Sequence, residues 1–140
     1  PDEYALAGDE AALGFVLARF PAMRLAVAGP WHCPAMAGAV GELADAVVQL
    51  PQRPMRAKLI ANRDGGLVSD AAMPERFVGQ LTHPVQWAAS IATLDRLEPR
   101  RILAVGPGKT LRGLVHSNLG VDRHVEMIDS MRAIEAAARA

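Results

Sequence analysis

The chain is short of cysteine, of net charge and of long apolar runs. It has one cysteine in 140 residues, and a single cysteine cannot form an internal disulfide, which favours a reducing compartment and a cytoplasmic location. Lysine plus arginine balance aspartate plus glutamate at 15 each, so the chain lacks the positive field that nucleic-acid binding requires. No apolar run approaches the roughly 18 residues that would span a bilayer, and no signal peptide is recognisable. We therefore expect neither nucleic acid nor a membrane among its partners.

The composition that remains is that of a folded protein. Apolar residues make up 51% of the chain and charged residues 21%, which is ordinary for a globular domain and unlike disorder. The length suffices for one domain with a real core. Because the sequence starts at Pro1 without a methionine and runs straight into apolar residues, we expect it to be part of a longer protein.

Apolar periodicity predicts strands and helices that alternate along the chain. Strands are predicted at 4–7, 23–28, 57–61, 101–105 and 125–128, the fourth as a fully buried strand. Helices are predicted after Asp9, from Pro34, at 74–81, at 85–97, after Gly108 and in the alanine-rich tail. This alternation indicates an α/β architecture with a largely parallel sheet.

The segment GPGKT at 106–110 resembles a phosphate-binding loop but lacks its full pattern. That pattern requires a glycine five positions before the Gly-Lys pair, and this position is Leu103. A Gly-Pro-Gly turn between a strand and a helix can still present backbone N–H groups to an anion. We interpret the turn as mainly structural.

The segment AGPWHCPAM at 28–36 is the most unusual stretch of the chain. Its glycine and prolines predict a loop, and the loop places His32 beside the single cysteine, Cys33. Adjacent side chains usually point apart, so a thiolate–imidazole pair is disfavoured and Cys33 is interpreted as structural. The Gly-x-Ser-x-Gly elbow of a serine hydrolase is absent. On these residues alone, His32 is either structural or a catalytic base that lacks its nucleophile.

Metal binding is not indicated. The four histidines and the cysteine show none of the usual spacings of metal ligands. We expect no metal site and no tightly bound cofactor.

Four segments in this order resemble a known family. They are AVAGPWHCPAM, IANRDG, GQLTHPVQW and AVGPGKTLRGL. Together, over roughly residues 3–118, they are similar to the C-terminal half of the malonyl-CoA:acyl carrier protein transacylases, a family that includes the acyltransferase domains of polyketide and fatty acid synthases. The resemblance implies the C-terminal part of an α/β-hydrolase-like acyltransferase domain at 31–140. Residues 1–30 would be the end of its ferredoxin-like small subdomain.

The resemblance also implies roles for individual residues. The catalytic histidine of the family corresponds to His32, and the residue whose backbone carbonyl orients that histidine corresponds to Gln80. A general base must keep one ring nitrogen protonated, and an acceptor on that side fixes the tautomer. Asn62 matches a polar residue at a strand end near the family's substrate site. Trp31 precedes the histidine and would lie against the acyl pocket, where its large ring favours malonyl over a branched acyl group.

The family's remaining machinery is missing from this sequence. Its serine nucleophile in Gly-His-Ser-x-Gly, its oxyanion-hole glutamine and its carboxylate-binding arginine all belong to the N-terminal half. The implied partners are therefore that half, a CoA thioester such as malonyl-CoA, and an acyl carrier protein with its phosphopantetheine arm. The sequence continues past LRGL, as in the transacylase subunit of bacterial malonate decarboxylase, which is one possible parent. A thioester hydrolase of the same fold and a non-catalytic docking or scaffold fragment remain as alternatives.

Overall fold

The computed structural model describes residues 3–139. Within this range six α-helices form, at Glu10–Leu17 (α1), Val40–Gln49 (α2), Met73–Gly79 (α3), Trp87–Arg96 (α4), Thr110–Leu119 (α5) and Met131–Ala138 (α6). Short 3-10 segments at Pro34–Ala39 and Asp70–Ala72 lead into α2 and α3. All six predicted helices are confirmed, with shifted ends.

Local sequence explains where several helices begin. The Asp9 side chain accepts a 2.7 Å hydrogen bond from the Ala12 N–H, and Ser130 caps α6 in the same way through the Ala133 N–H. Both are favoured N-cap residues, because their side-chain oxygens satisfy an N–H that the first turn leaves free. Pro34 opens the 3-10 segment, where its missing N–H is not needed.

The sheet among residues 3–139 has two parallel strands, Leu103–Val105 (β1) and Glu126–Ile128 (β2). Leu103 pairs with Glu126 and Val105 with Ile128, and α5 makes the crossover between the strands. An isolated antiparallel bridge joins Ile60 to Leu67. The parallel α/β organisation that the alternation predicts is therefore present.

Three strand predictions are wrong. Residues 4–7 and 23–28 form no strand, and 57–61 forms only the single bridge at Ile60. A strand exists only where a neighbour takes up its N–H and C=O groups, and within 3–139 the first two segments have none. The fully buried strand predicted at 101–105 is also corrected. Only the central Ala104 of β1 is buried, while Leu103 and Val105 are exposed.

The core lies between α4, α5 and the two strands. It is made of Ile91, Ile102, Ala104, Val115 and Val125. Trp87 and Leu94 of α4 cover it from one side. Residues 3–28, by contrast, contribute no buried side chain.

No helix among the described residues is long and apolar enough to cross a membrane.

Candidate active site

His32 lies in a strained loop. Its φ of +60° is in the left-handed region, which is uncommon for any residue other than glycine and tends to persist where surrounding structure requires it. Cys33 follows as the N-cap of the 3-10 segment, and its thiol donates a 3.1 Å hydrogen bond to the Pro30 carbonyl. The loop is thus tied at both sides of the histidine, and Cys33 has a structural contact as the sequence predicts.

The ring of His32 is held by the backbone of Gln80. Nδ1 lies 2.8 Å from the Gln80 carbonyl oxygen, 48 residues along the chain. Because a carbonyl can only accept, Nδ1 carries a proton, so in the neutral imidazole the lone pair is on Nε2. No residue in 3–139 forms a hydrogen bond with Nε2. This is the arrangement of a histidine prepared to take a proton at Nε2.

Asn62 lies next to the same residue. Its amide donates a 3.1 Å hydrogen bond to the Gln80 side-chain oxygen, and its own backbone carbonyl accepts a 2.6 Å bond from the Gln86 N–H. The structure therefore brings His32, Gln80 and Asn62 together as one hydrogen-bonded group. Asn62 contacts the group through Gln80.

Trp31 stands apart from that group, on the surface. Its side chain is 51% exposed, and its indole lies over Gly29, 3.6 Å from the point where a Cβ would be. The ring is adjacent to His32 along the chain, and its outer face is open to solvent.

Two ion pairs that the sequence did not predict lie beside this site. Arg63 donates a 2.6 Å hydrogen bond to Glu75, and Arg76 forms a salt bridge with Asp64. The Gly66 N–H first, and then the Arg76 guanidinium, hold the pKa of Asp64 below its usual range. The sequence does contain an indication of these pairs. Arg63-Asp64 is positive then negative and Glu75-Arg76 is negative then positive, so each charge of one dipeptide can meet its opposite in the other.

His83, shortly after the end of α3, has a structural contact that the sequence did not predict. Nδ1 of His83 lies 2.7 Å from the Gly79 carbonyl oxygen and 3.2 Å from the Thr82 hydroxyl. The carbonyls of Gly79 and Gln80, which are consecutive, thus each accept a hydrogen bond from an imidazole.

No serine of the described residues is bonded to His32. The hydroxyls of Ser90 and Ser117 donate to carbonyls of their own helices, and Ser130 caps α6. Residues 3–139 also contain no group of three histidine, cysteine or acidic side chains that could hold a metal ion. A 560 Å³ cleft between β2 and α6 does not include His32 among its lining residues. Of the histidine group, His32 and Gln80 are half-buried and Asn62 is exposed.

The GPGKT segment forms the turn between β1 and α5. Gly106 and Gly108 both have positive φ, at +127° and +88°, a conformation that glycine adopts without the penalty of a side chain. The Gly106 N–H donates to the Ile128 carbonyl on the neighbouring strand. These conformations account for the two glycines structurally.

Comparison with known proteins gives consistent matches in sequence and structure. No family model matches the chain. The malonyl CoA-acyl carrier protein transacylase of Mycobacterium tuberculosis is 36% identical over 96 residues, which are 68% of this chain and 32% of that protein. Its namesake from Mycolicibacterium smegmatis is 38% identical over 101 residues, 69% of this chain and 35% of that protein. The chain thus spans about a third of the length of these curated relatives.

The fold is matched over nearly the whole chain. The crystal structure of the transacylase from Mycobacterium tuberculosis superposes with a TM-score of 0.79 at 33% identity, covering 94% of this chain and 45% of that one. This likeness confirms the α/β acyltransferase fold class. In both sequence and fold, the chain is identified as the C-terminal part of a member of the malonyl-CoA:acyl carrier protein transacylase family.

Proposed function

We propose that the complete protein transfers a malonyl group from a CoA thioester to the thiol of an acyl carrier protein, with His32 as general base and general acid. One observation carries this proposal above the others. The 2.8 Å hydrogen bond from Nδ1 of His32 to the Gln80 carbonyl leaves Nε2 free to accept a proton. Gln80 acts through its backbone, so it orients the imidazole without taking part in proton transfer.

The proposed reaction has two half-reactions. A serine hydroxyl attacks the malonyl thioester while Nε2 of His32 takes its proton, and the same proton then passes to the departing CoA sulfur. The malonyl-serine ester is next attacked by the carrier thiol, whose proton follows the reverse route and returns to the serine oxygen. The sole exchange is of one acyl group between two sulfurs, so no oxidant, metal or tightly bound cofactor is needed. The phosphopantetheine arm of the carrier supplies the accepting thiol.

The serine, the oxyanion donors and the arginine for the malonyl carboxylate are proposed to come from the part of the family's length that this chain does not cover. The exposed surface supports a large missing partner. The chain exposes 10652 Å², whereas a compact monomer of 14.9 kDa exposes about 7,000 Å². An excess of this size is several times the roughly 800 Å² that each partner buries in a protein–protein interface of standard size.

Part of the exposed surface is apolar and lies near the start of the chain. Exposed side chains in the first 28 residues include Tyr4, Leu6, Phe15, Phe20, Met23 and Val27. Large apolar side chains exposed in this number along one segment favour an interaction site. We propose that the N-terminal half packs here and on the exposed face of β1. The proposed boundary between the small subdomain, 1–30, and the large subdomain, 31–140, belongs to the same interpretation.

Two further residues have proposed substrate roles. Trp31 directly precedes His32 in the chain and is half exposed, and we propose that its indole forms one wall of the acyl pocket. Asn62 is exposed next to Gln80, at the edge of the same pocket. The single thiol of Cys33 suits a reducing compartment, so we place the reaction in the cytoplasm.

Intact mass spectrometry tests the proposal. The protein, with any polypeptide that co-purifies, is analysed under native and denaturing conditions before and after addition of malonyl-CoA. We expect a malonyl mass on a serine-bearing polypeptide, and its transfer when a carrier thiol is added. The variant His32→Asn should acylate at least 100-fold more slowly, because asparagine tolerates a left-handed backbone but provides no base. His124→Asn, an exposed histidine outside the site, is the matched control.

The same experiment separates the alternatives. Release of free malonate without a thiol acceptor would indicate a hydrolase. Carrier-protein binding with no acylation at all would indicate a docking fragment. Normal acylation of His32→Asn would contradict the role of His32. A parent of the malonate decarboxylase type stays a prediction, and selectivity for its dedicated carrier protein would support it.

A further inference from the structure

The orientation of His32 depends on where the Gln80 carbonyl lies, and Gln80 caps the end of α3. We propose that the two ion pairs between the Asn62–Gly66 turn and α3 are a positioning device: Arg63 with Glu75 and Asp64 with Arg76 hold the end of α3 so that the Gln80 carbonyl fixes the tautomer of His32. This inference deepens the proposed function and rests on the role of His32 given there.

The turn itself is anchored on α4 and so provides a fixed reference. Gly65 has a φ of +70°, and a Cβ built on it would lie 2.5 Å from the backbone of Ala89. The buried Thr93 hydroxyl donates a 2.6 Å hydrogen bond to the Gly65 carbonyl. The Asn62 carbonyl accepts from the Gln86 N–H at 2.6 Å. Because α4 packs on the protein core, the turn is fixed to the most buried part of the molecule.

The two pairs connect this turn to α3. Arg63 reaches Glu75 at 2.6 Å, and Arg76 reaches back to Asp64, so one arginine comes from each side. The Arg63 guanidinium also lies against Gly79, with Nη1 3.0 Å from the point where a Cβ would be. Gly79 immediately precedes Gln80. The arginine thus touches the backbone one residue before the carbonyl that binds His32.

A movement of the end of α3 would shift the carbonyls of Gly79 and Gln80 together. The Gly79 carbonyl accepts from His83 and the Gln80 carbonyl from His32, at 2.7 and 2.8 Å. Hydrogen bonds of this length weaken steeply when the donor or acceptor is misaligned. Release of α3 from the turn would therefore disturb both imidazoles, and His32 would populate both neutral tautomers.

Because the ion pairs are partly exposed, we expect them to affect the position of α3 more than the stability of the fold. Side chains of both arginines are about a third exposed, and ion pairs of that kind add little to folding stability. Their expected contribution is thus to the position of Gln80, which a tautomer measurement reads directly.

The test is the tautomeric state of the histidines, measured by long-range 1H–15N spectra of the protein as isolated, labelled with 15N-histidine. The chain has four histidines. His32 and His83 should appear as Nδ1–H tautomers. His116, whose Nε2 lies 3.1 Å from the Arg123 carbonyl, should appear as the Nε2–H tautomer and serves as an internal reference.

Three variants separate positioning from charge. In the double variant Arg63→Gln, Arg76→Gln the Nε2–H form of His32 should rise at least threefold. In the double variant Arg63→Lys, Arg76→Lys, charge is kept without the two-pronged guanidinium, and a smaller rise is expected. Arg101→Gln breaks an ion pair of similar exposure with Glu126 and should leave His32 unchanged.

An unchanged His32 tautomer in the glutamine double variant would overturn the proposal. So would a change confined to His83, because the pairs would then hold α3 without setting Gln80. If the glutamine double variant loses the His116 signature and has therefore unfolded, the lysine double variant decides on the same criterion. The proposed acyl transfer is tested independently, since the tautomers are read without substrate.

Discussion

The hydroxyl of Thr93 donates a 2.6 Å hydrogen bond to the backbone carbonyl of Gly65, across 28 residues of sequence. Thr93 is a buried polar side chain of α4, and it accepts in turn a 2.8 Å hydrogen bond from Arg96. The Thr93 hydroxyl therefore both donates and accepts a hydrogen bond. This contact fixes the Asn62–Gly66 turn to α4, and so the base of the candidate site to the core.

Thr93→Val should lower the free energy of unfolding by about 1–3 kcal/mol. Valine has nearly the same shape as threonine but leaves the Gly65 carbonyl without its donor. Urea denaturation followed by circular dichroism measures the change. Thr93→Ser keeps the hydroxyl and should cost less than the valine variant. An unchanged free energy of unfolding in Thr93→Val would show that this hydrogen bond does not stabilise the turn.

Gly65→Ala should be strongly destabilising, whereas Gly41→Ala should not. A Cβ at Gly65 would meet backbone atoms of Ala89 and Ser90 at 2.5–2.6 Å and would also occupy a positive φ, so a loss of roughly 3 kcal/mol or more is expected. Gly41 is in α2 with nothing within 4 Å of its Cβ position. Alanine there should stabilise by about 0.5–1 kcal/mol. Urea denaturation of the two variants measures both changes in stability. An unchanged urea midpoint in Gly65→Ala would contradict the packing of the turn on α4.

Acidification should weaken the turn through Asp64. The Gly66 N–H and the Arg76 guanidinium lower the pKa of Asp64 in the folded protein, so the folded state binds a proton at this site less readily than the unfolded chain. The stabilisation is then complete above the unfolded carboxyl pKa of about 3.9, and is lost as pH falls through the lower folded pKa. Unfolding free energies measured between pH 6 and 2 should fall less steeply for Asp64→Asn. Asp45→Asn, at an exposed position of α2, is the control and should follow the parent protein.

Trp31→Ala in the complete protein should relax acyl selectivity. If the indole forms a wall of the acyl pocket, as proposed, its removal makes room for an α-methyl group, and one methyl group in a pocket changes discrimination by about 1–3 kcal/mol. The ratio of kcat/KM for malonyl-CoA to that for methylmalonyl-CoA should therefore fall by at least tenfold. Trp31→Phe retains a ring, so its ratio should lie between those of the parent protein and Trp31→Ala. An unchanged ratio in Trp31→Ala would remove Trp31 from the acyl pocket.

Local sequence signals were sufficient for most of the helices and for the parallel pair of strands. The caps at Asp9 and Ser130 and the apolar spacing of α4 act within a few residues, so they can be read directly from the chain. The strand predictions at 4–7 and 23–28 were wrong for a matching reason. Their alternation of apolar and polar residues shows only a local preference for extended backbone, whereas a strand also needs a second segment, distant in the sequence, to bind its N–H and C=O groups.

The candidate site could be predicted only in part. The residues alone left His32 either structural or catalytic. The pairing with Gln80 came from the family resemblance, and the two groups lie 2.8 Å apart in the structure. The pairs of Arg63 and Arg76 were not found, because charges twelve residues apart become neighbours only after α3 folds back on the turn. The roles in catalysis stay predictions.

The uneven distribution of buried side chains has a consequence for how the chain opens. The main cluster of core residues lies between Ile91 and Val125, on α4, β1 and α5 and beside the ends of the two strands, whereas residues 3–28 bury none. Amide hydrogens of β1 and α5 should therefore exchange with solvent slowest, through global unfolding, and those of α1 fastest, through local fraying. His32 lies on the loop that joins this loosely held start of the chain to the 3-10 segment before α2, and its ring is held from the other side by the Gln80 carbonyl.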